Sequence, residues 1–514
     1  MVLFCVFTAS FALSLVLVPV IRGIALRIGL VDKPDNRRKT HAKVTPVAGG
    51  IAVFLSLLAV VGGMLCFRPD DLAACYFQIV GLLAGGLLIC LVGVADDFGR
   101  LRGRHKLLGQ VAAVCVVIGS GVVVEHVHLL WWKIDLGLLS IPFTICFLLG
   151  AINSLNLLDG MDGLLGSVAV IVCATIACLA VLTGRPSDAI VALALAGAVL
   201  GFLRYNYPPA SIFLGDCGSM LIGLVVGTLA IVTSVKASTT IVLSTPVALL
   251  TLPFMDTTAA ILRRKLTGRS IYSTDRGHLH HCLLRRGYSI PRVLAIVSAC
   301  CFVTGISVLL SQTFQNELIA LTTSIAVVVV LVVTGLFGSA EAILVKERLV
   351  ALGSSLLTPR TEGRAKQLEV RLQGSVDWNT LWNAITDKAE ALQLRQVRLD
   401  VNAPSLHENY HARWEISTRE TEHDTQWRVE IPISIRTIDV GRILIVGSSD
   451  SEAIWVAIES ITALIEEYSH LVVSGKPHEP VALETVNENK AERASEWEET
   501  QEAPAPLVSS EVGG

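Results

Sequence analysis

Hydrophobic and polar positions along this chain fall into blocks. Apolar runs of roughly 20 residues, long enough as helices to cross ~30 Å of hydrocarbon, recur near 2–21, 46–66, 74–95, 107–124, 138–153, 164–183, 189–203, 217–234, 241–260, 293–311 and 317–336. The pattern stops near Gly338 and polar sequence follows. Further on, "KQLEVRLQG", "QVRLDVNAP", "HARWEISTRE", "WRVEIPISI" and "VGRILIVGSS" alternate like strands. "DWNTLWNAITDKAEALQL" and "SEAIWVAIESITALIEEYSHLVV" carry a helical period. The pattern predicts an all-α multi-pass membrane protein of about eleven transmembrane helices with a small soluble α+β C-terminal domain. Its expected parts are a membrane domain at 1–340, a linker at 341–365, an α+β domain at 366–473 and a tail at 474–514.

Composition agrees with that division. Of the 514 residues, 52% are apolar and 17% charged, against about 25% charge in an ordinary soluble protein. The first run, "MVLFCVFTASFALSLVLVPVIRG", has no basic start and reads as a retained helix rather than a signal peptide. Alternate short loops carry twenty Lys/Arg on one side against four on the other. The positive-inside rule puts the first set in the cytoplasm, the N-terminus outside and the tail inside. That is the topology of an inner (plasma) membrane protein. All twelve cysteines lie between Cys5 and Cys301 without a CxxC pair, which excludes a disulfide frame or a zinc finger. From 475 onward nine glutamates face three Lys/Arg, a composition of disordered chain.

The polar residues of the membrane part gather on the basic face: "VDKPDNRRKTHAKVTPVAGG" (31–50), "ADDFGRLRGRHKLLGQ" (95–110), "NSLNLLDGMDGL" (153–164), "RYNYPPASIFLGDCGS" (204–219) and the loop holding "HLHH" (278–281). Ionisable groups at the ends of membrane helices are costly, and so they point to function. Asp96, Asp97, Asp159, Asp162 and Asp216 offer hard oxygens for a divalent cation. Arg37, Arg38, Lys39, Lys106 and the arginines of 261–292 can meet phosphates. This inventory suits Mg²⁺, with Mn²⁺ able to substitute, and a phosphorylated substrate. If 153–164 continues the fifth helix, Asn153 with Asn156, and Asp159 with Asp162, each share a face. Asp96 and Asp97 are adjacent and point apart, one to the site and the other to backbone or a basic partner. Asp216 between two glycines suits either an anion-binding turn or an ordinary helix start. His278, His280 and His281 lack a complete tetrahedral zinc set and read as hydrogen-bond donors to phosphate oxygens. The cluster Arg37, Arg38, Lys39, His41 and Lys43 is equally a topogenic signal.

In this order, the Asp96–Asp97 pair, "NSLNLLDGMDGL", "FLGDCGS" and "HLHH" resemble the polyprenyl-phosphate N-acetylhexosamine-1-phosphate transferase family (glycosyltransferase family 4, WecA/MraY type) over residues 20–340. The resemblance implies that undecaprenyl phosphate attacks the β-phosphorus of a UDP-N-acetylhexosamine, releasing UMP and starting a lipid-linked cell-envelope glycan. By the same resemblance Asp216 holds Mg²⁺, Asn156 lies near the diphosphate, and Asp159 and Asp162 line the nucleotide side. Asp96 and Asp97 handle the lipid phosphate, Lys106 contacts substrate phosphate, and His278, His280 and His281 shape the donor pocket. "DKPDNRRKTHAKVTPVAGG" and "DRGHLHH" are closer to the N-acetylglucosamine branch than to the MurNAc-pentapeptide branch.

Membrane lipid and the two substrates are the expected partners, with no nucleic acid; a homodimer and a regulatory ligand or partner for the C-terminal domain are further expectations. A transporter would instead place its ionisable groups near the bilayer midplane. A decayed scaffold would have lost key acids. A CDP-alcohol phosphotransferase would carry a longer Asp-Gly-to-Asp signature.

Overall fold

The computed structural model describes residues 1–32, 44–99, 101–129, 132–237, 240–267, 277–357, 365–373, 378–403, 408–416, 426–435, 438–448 and 451–474. The chain divides into two compact units, the first taking in residues 1–361 with 370–372 and the second the remainder.

The first unit is a helical bundle. In chain order it contains α1 (Val2–Ile28), α2 (Gly49–Phe67), α3 (Tyr76–Asp97), α4 (Gly103–Gly119), α5 (Ser140–Leu158), α6 (Leu164–Leu182) and α7 (Pro186–Asn206). Then come α8 (Gly215–Thr233), α9 (Ser244–Leu249), α10 (Thr251–Leu266), α11 (Leu279–Arg285), α12 (Ile290–Thr313), α13 (Glu317–Val333) and α14 (Ser339–Leu357). Among the described residues eight helical stretches are long and apolar enough to cross a membrane: α1, α2, α3 with its lead-in turn, α5 with its own, α6, α7, α8 and α12. The protein is therefore a multi-pass membrane protein. The other three expected runs take different forms. The run at 107–124 is the 17-residue α4, which starts early enough to include Arg104, His105 and Lys106. The run at 317–336 is the 17-residue α13. The run at 241–260 breaks at Leu250 into α9 and α10. Pro253, with no N–H to give and φ preset, favours a fresh helix start there.

Helix α8 is the axis of the unit, with every side chain from Cys217 to Thr233 buried. It packs on α3, α5 and α2, and small residues set how closely. A Cβ on Gly50 would stand 2.1 Å from Gly218 N, and one on Gly93 would stand 2.3 Å from Cys217 Cα. Three helix ends therefore meet backbone to backbone where the polar motifs lie. Helix α1 lies against α7, and Ser10 and Ser14 donate to the carbonyls of Ala194 and Ala198 at 2.6 and 2.7 Å, so neither hydroxyl is left bare in an apolar contact.

Two small sheets close the ends of the bundle. β1 (Val31–Asp32) pairs with β2 (Thr45–Pro46). At the other end β3 (His126–Leu129), β4 (Trp132–Asp135), β5 (Val235–Ala237) and β6 (Thr240–Val242) form a sheet in the order β4-β3-β6-β5.

The second unit is α+β. Its strands β7 (Ala365–Gln373), β8 (Gln396–Ala403), β9 (Glu408–Ile416), β10 (Gln426–Ile435) and β11 (Ile438–Ser448) take the order β10-β11-β8-β9-β7. Its helices are α15 (Trp378–Ala391) and α16 (Ser451–Ser474). Alternate positions of β8 (Val397, Leu399, Val401) join Trp378, Trp382, Tyr410, Trp414, Ile443 and Ile461 in one core. Trp378 satisfies its indole N–H on Glu408 at 2.9 Å. The expected strands and helices of this unit all form.

Candidate active site

Helix α3 ends in two acids that turn to different partners. Asp97 accepts backbone N–H bonds from Asp216 at 2.9 Å and Cys217 at 3.3 Å. Those N–H groups belong to the first turn of α8, which has no intrahelical acceptors and carries the positive end of the helix dipole. Asp97 thus caps a neighbouring helix. Gly215 makes this possible: its φ is +77°, and a Cβ there would lie 2.7 Å from Asp97 Oδ2. Asp96 instead meets Lys106 Nζ at 2.9 Å.

Lys106, in the first turn of α4, also reaches Asp216 Oδ1 at 3.0 Å. Asn156, in the last turn of α5, donates to the same oxygen at 2.6 Å and to Ser219 Oγ at 2.8 Å. Four helix ends therefore bring Asp96, Lys106, Asn156 and Asp216 to one point. One turn deeper, Asn153 donates to Gln110 at 3.0 Å and Gln110 donates back at 3.3 Å. This amide pair ties α4 to α5 directly beneath Lys106 and Asn156.

Residues 153–164 are not one helix. α5 stops at Leu158 and α6 begins at Leu164 after Gly163, whose φ is +73°. Asn153 and Asn156 share a helical face, whereas Asp159 and Asp162 stand in the turn between the helices. Asp162 accepts from Ala210 N at 2.9 Å, and Asn206 accepts from Gly163 N at 2.9 Å. These two contacts tie the turn to the end of α7 and to the loop that follows it. Burial, then the nearby carboxylates of Asp216, Asp97 and Asp162, hold the Asp159 carboxyl well above the usual range.

The histidines approach this turn from another quarter. His278 Nδ1 lies 3.1 Å from Asp256 Oδ2, and Leu279 N donates to Asp256 Oδ1 at 2.9 Å. His280 is 1% exposed, and among the described residues neither ring nitrogen has a hydrogen-bond partner. A Cβ on Gly160 would lie 2.5 Å from His280 Nε2, so the ring stands against the 159–163 turn. Burial, then the charge of His281, pushes the His280 imidazole down to about 3. His281 sits beside it, with ring centroids 4.2 Å apart.

The expected site residues therefore form a helix-end cluster and a histidine loop joined at the 159–163 turn. Arg37, Arg38, Lys39, His41 and Lys43 lie outside the described residues, as do Arg100, Arg269 and Arg276. Sequence reasoning missed Asp256, Asn206, Gln110 and Ser219. For Asp256 a signal existed, since it is an ionisable residue inside the apolar run at 241–260.

A model of glycosyl transferase family 4 matches residues 79–234, a span holding the acids, Lys106 and Asn156 but not the histidines. A probable undecaprenyl-phosphate N-acetylglucosaminyl 1-phosphate transferase of Bacillus subtilis is 32% identical over 303 residues, covering 59% of this chain and 82% of that protein. The chain belongs to glycosyl transferase family 4. Two more members similar to it are the decaprenyl-phosphate N-acetylglucosaminephosphotransferase of Mycolicibacterium smegmatis and the undecaprenyl-phosphate alpha-N-acetylglucosaminyl 1-phosphate transferase of Salmonella typhi. The first is 31% identical, covering 61% of this chain and 83% of that protein. The second is 30% identical, covering 56% and 78%. For this family 4 chain the match and the geometry fall on the same helices, α3 to α8.

Proposed function

We propose that this protein transfers N-acetylglucosamine 1-phosphate from its UDP-sugar to undecaprenyl phosphate, releasing UMP and starting a lipid-linked cell-envelope glycan. The observation that carries this reading is the meeting of Asp96, Lys106, Asn156 and Asp216 at the ends of four helices. A lipid phosphate at the bilayer surface and a water-soluble donor can both reach such a place. The activities named for its relatives in Bacillus subtilis and Salmonella typhi support the acceptor and the sugar.

In the proposed reaction an oxygen of the lipid phosphate attacks the β-phosphorus, the bond from that phosphorus to the bridging oxygen breaks, and UMP leaves with the electron pair. A phosphate monoester has a second pKa of about 6 and is mostly dianionic at pH 7, so little is asked of a general base. Asp96 takes any residual proton or orders the acceptor. Lys106 is placed to meet phosphate oxygens once substrate displaces its carboxylate partners, and Asn156 holds Asp216 in orientation. Asp97 acts through α8 by fixing the first turn on which Asp216 stands.

The donor set fits Mg²⁺. Asp96 and Asp216 share a single ammonium, which leaves excess negative charge on hard oxygens, and Mg²⁺ is usually held by one or two carboxylates plus substrate phosphates. Asp216 would hold the ion with Asp96 beside it, and the ion would neutralise charge on the diphosphate. In this reading the site face and the C-terminal unit are cytoplasmic, and the C-terminal unit binds a regulatory ligand or partner.

The test is UMP release by the purified protein from UDP-N-acetylglucosamine with undecaprenyl phosphate and Mg²⁺, omitting each in turn. Release that needs all three is expected. No release from this or another UDP-N-acetylhexosamine would sink the reading. UMP–UDP-sugar exchange without lipid would replace direct attack by a two-step route through a phosphorylated aspartate.

A further inference from the structure

The helix that carries His280 and His281 is short. α11 spans seven residues, too few to hold a fixed position unaided, and contacts from elsewhere in the bundle secure both of its ends. At the leading end the Arg263 guanidinium, 4% exposed on α10, donates twice to the carbonyl of Gly277, at 3.0 and 3.1 Å. A Cβ on Gly277 would fall 1.9 Å from that guanidinium, so the loop backbone lies directly on it. Arg263 is in turn paired with Glu341 at 2.6 Å, in the first turn of α14, and both side chains are almost wholly buried. At the trailing end Arg286, which caps α11, donates to the carbonyl of Gly335. Both Glu341 and Gly335 flank the turn between α13 and α14, where Phe337 is buried as a third anchor.

We infer that the 335–341 segment is a brace for the histidine loop and that Glu341, acting through Arg263, is a positioning residue for the donor side of the site. The chain of contact runs from Glu341 to Arg263, to the Gly277 carbonyl, and so to His278 and to His280 against the 159–163 turn. A buried pair that loses the charge of one partner is strongly weakened, because the remaining charge was set against it. Neutralising Glu341 therefore releases Arg263 from its place, and the loop it carries shifts with it. The inference rests on reading the histidine loop as part of the donor pocket, but the brace itself is a matter of geometry. It also gives α14, the last helix of the first unit, a mechanical hold on the donor pocket.

The test uses the full-length protein and the variants Glu341→Gln, Glu341→Asp and the reversed pair Arg263→Glu with Glu341→Arg. Amide hydrogen exchange over 277–286, measured without substrate, is expected to rise roughly tenfold or more in Glu341→Gln. It should stay near wild type in Glu341→Asp and recover in part in the reversed pair. In the UMP assay Glu341→Gln should raise KM for the UDP-sugar about tenfold while leaving KM for undecaprenyl phosphate unchanged, a split that general loss of folded protein would not give. Unchanged exchange at 277–286 in Glu341→Gln would overturn the brace, as would an equal rise in both KM values. Because exchange needs no turnover, a wild-type protein that releases no UMP would refute the proposed function while the exchange data still judged the brace.

Discussion

The two ends of the site are built by different means. Asp96, Lys106, Asn156 and Asp216 stand on the ends of long helices whose backbones touch at Gly50, Gly93 and Gly218. Their position is fixed by the packing of the bundle itself. His278, His280 and His281 stand on or beside a seven-residue helix held by Asp256, Arg263 and the 335–341 turn. Those polar contacts, with Leu279 and Leu283 of the short helix buried in the core, fix that end, rather than the close approach of long helices. The difference suits the proposed chemistry, in which charge must be met at a fixed point while a bulky donor enters and UMP leaves.

If the helix-end cluster is the rigid chemical centre, the largest loss comes from removing its central carboxylate. Asp216→Ala should lower kcat by roughly 10³-fold, the upper part of the range for deleting one electrostatic group in a transition state, while Tm in detergent changes little. Lys106→Met follows at about 10²-fold, because two half-buried carboxylates lose their shared cation. Titration with Mg²⁺ should restore part of that rate, and failure of any concentration to do so would separate the lysine from the cation site.

Asp97→Asn sharpens the contrast between neighbours. An amide oxygen keeps one of the two bonds to the α8 N-terminus but loses the charge, so about 1 kcal/mol of stability should go. Asp96→Asn should leave Tm unchanged and lower the rate more. Thermal melts beside initial rates check the pair, and the reverse pattern would exchange their roles.

A further prediction concerns the histidine end. An imidazole in the unfolded chain titrates near ~6.5, while His280 in the folded protein titrates at about 3. Below the first value the unfolded chain binds the extra proton, so this contribution is complete above pH 6.5 and is lost as pH falls toward 3. The slope is at most about 1.4 kcal/mol per pH unit. Melts at pH 7 and 5.5 should show a decrease that is smaller in His280→Gln.

What could be read along the chain was whatever a single segment encodes. The apolar runs, the strands of the second unit and the polar mouths of the membrane helices are of that kind. Where one helix stops is harder, since the same letters "NLLDGMDGL" serve a continuous helix or a turn until Gly163 takes its left-handed conformation. The contacts that no segment carries alone were not legible: Asp256 to His278, Arg263 to Glu341, Gln110 to Asn153. They join residues 22, 78 and 43 positions apart, and only the packing of α10, α14, α4 and α5 brings them together. For the same reason the different tasks of Asp96 and Asp97 emerge only once α8 is in place.

The most direct measurement follows the β-phosphorus. With UDP-N-acetylglucosamine labelled at that atom, undecaprenyl phosphate, Mg²⁺ and the purified protein, the label should pass into the organic phase with the lipid, one UMP released per label transferred, and Asp216→Ala should stop both. Label left in the aqueous phase as UDP, with only the sugar on the lipid, would mean that the bond to the sugar is the one broken, and would contradict a site built to hold phosphorus between Asp216, Lys106 and the histidine loop.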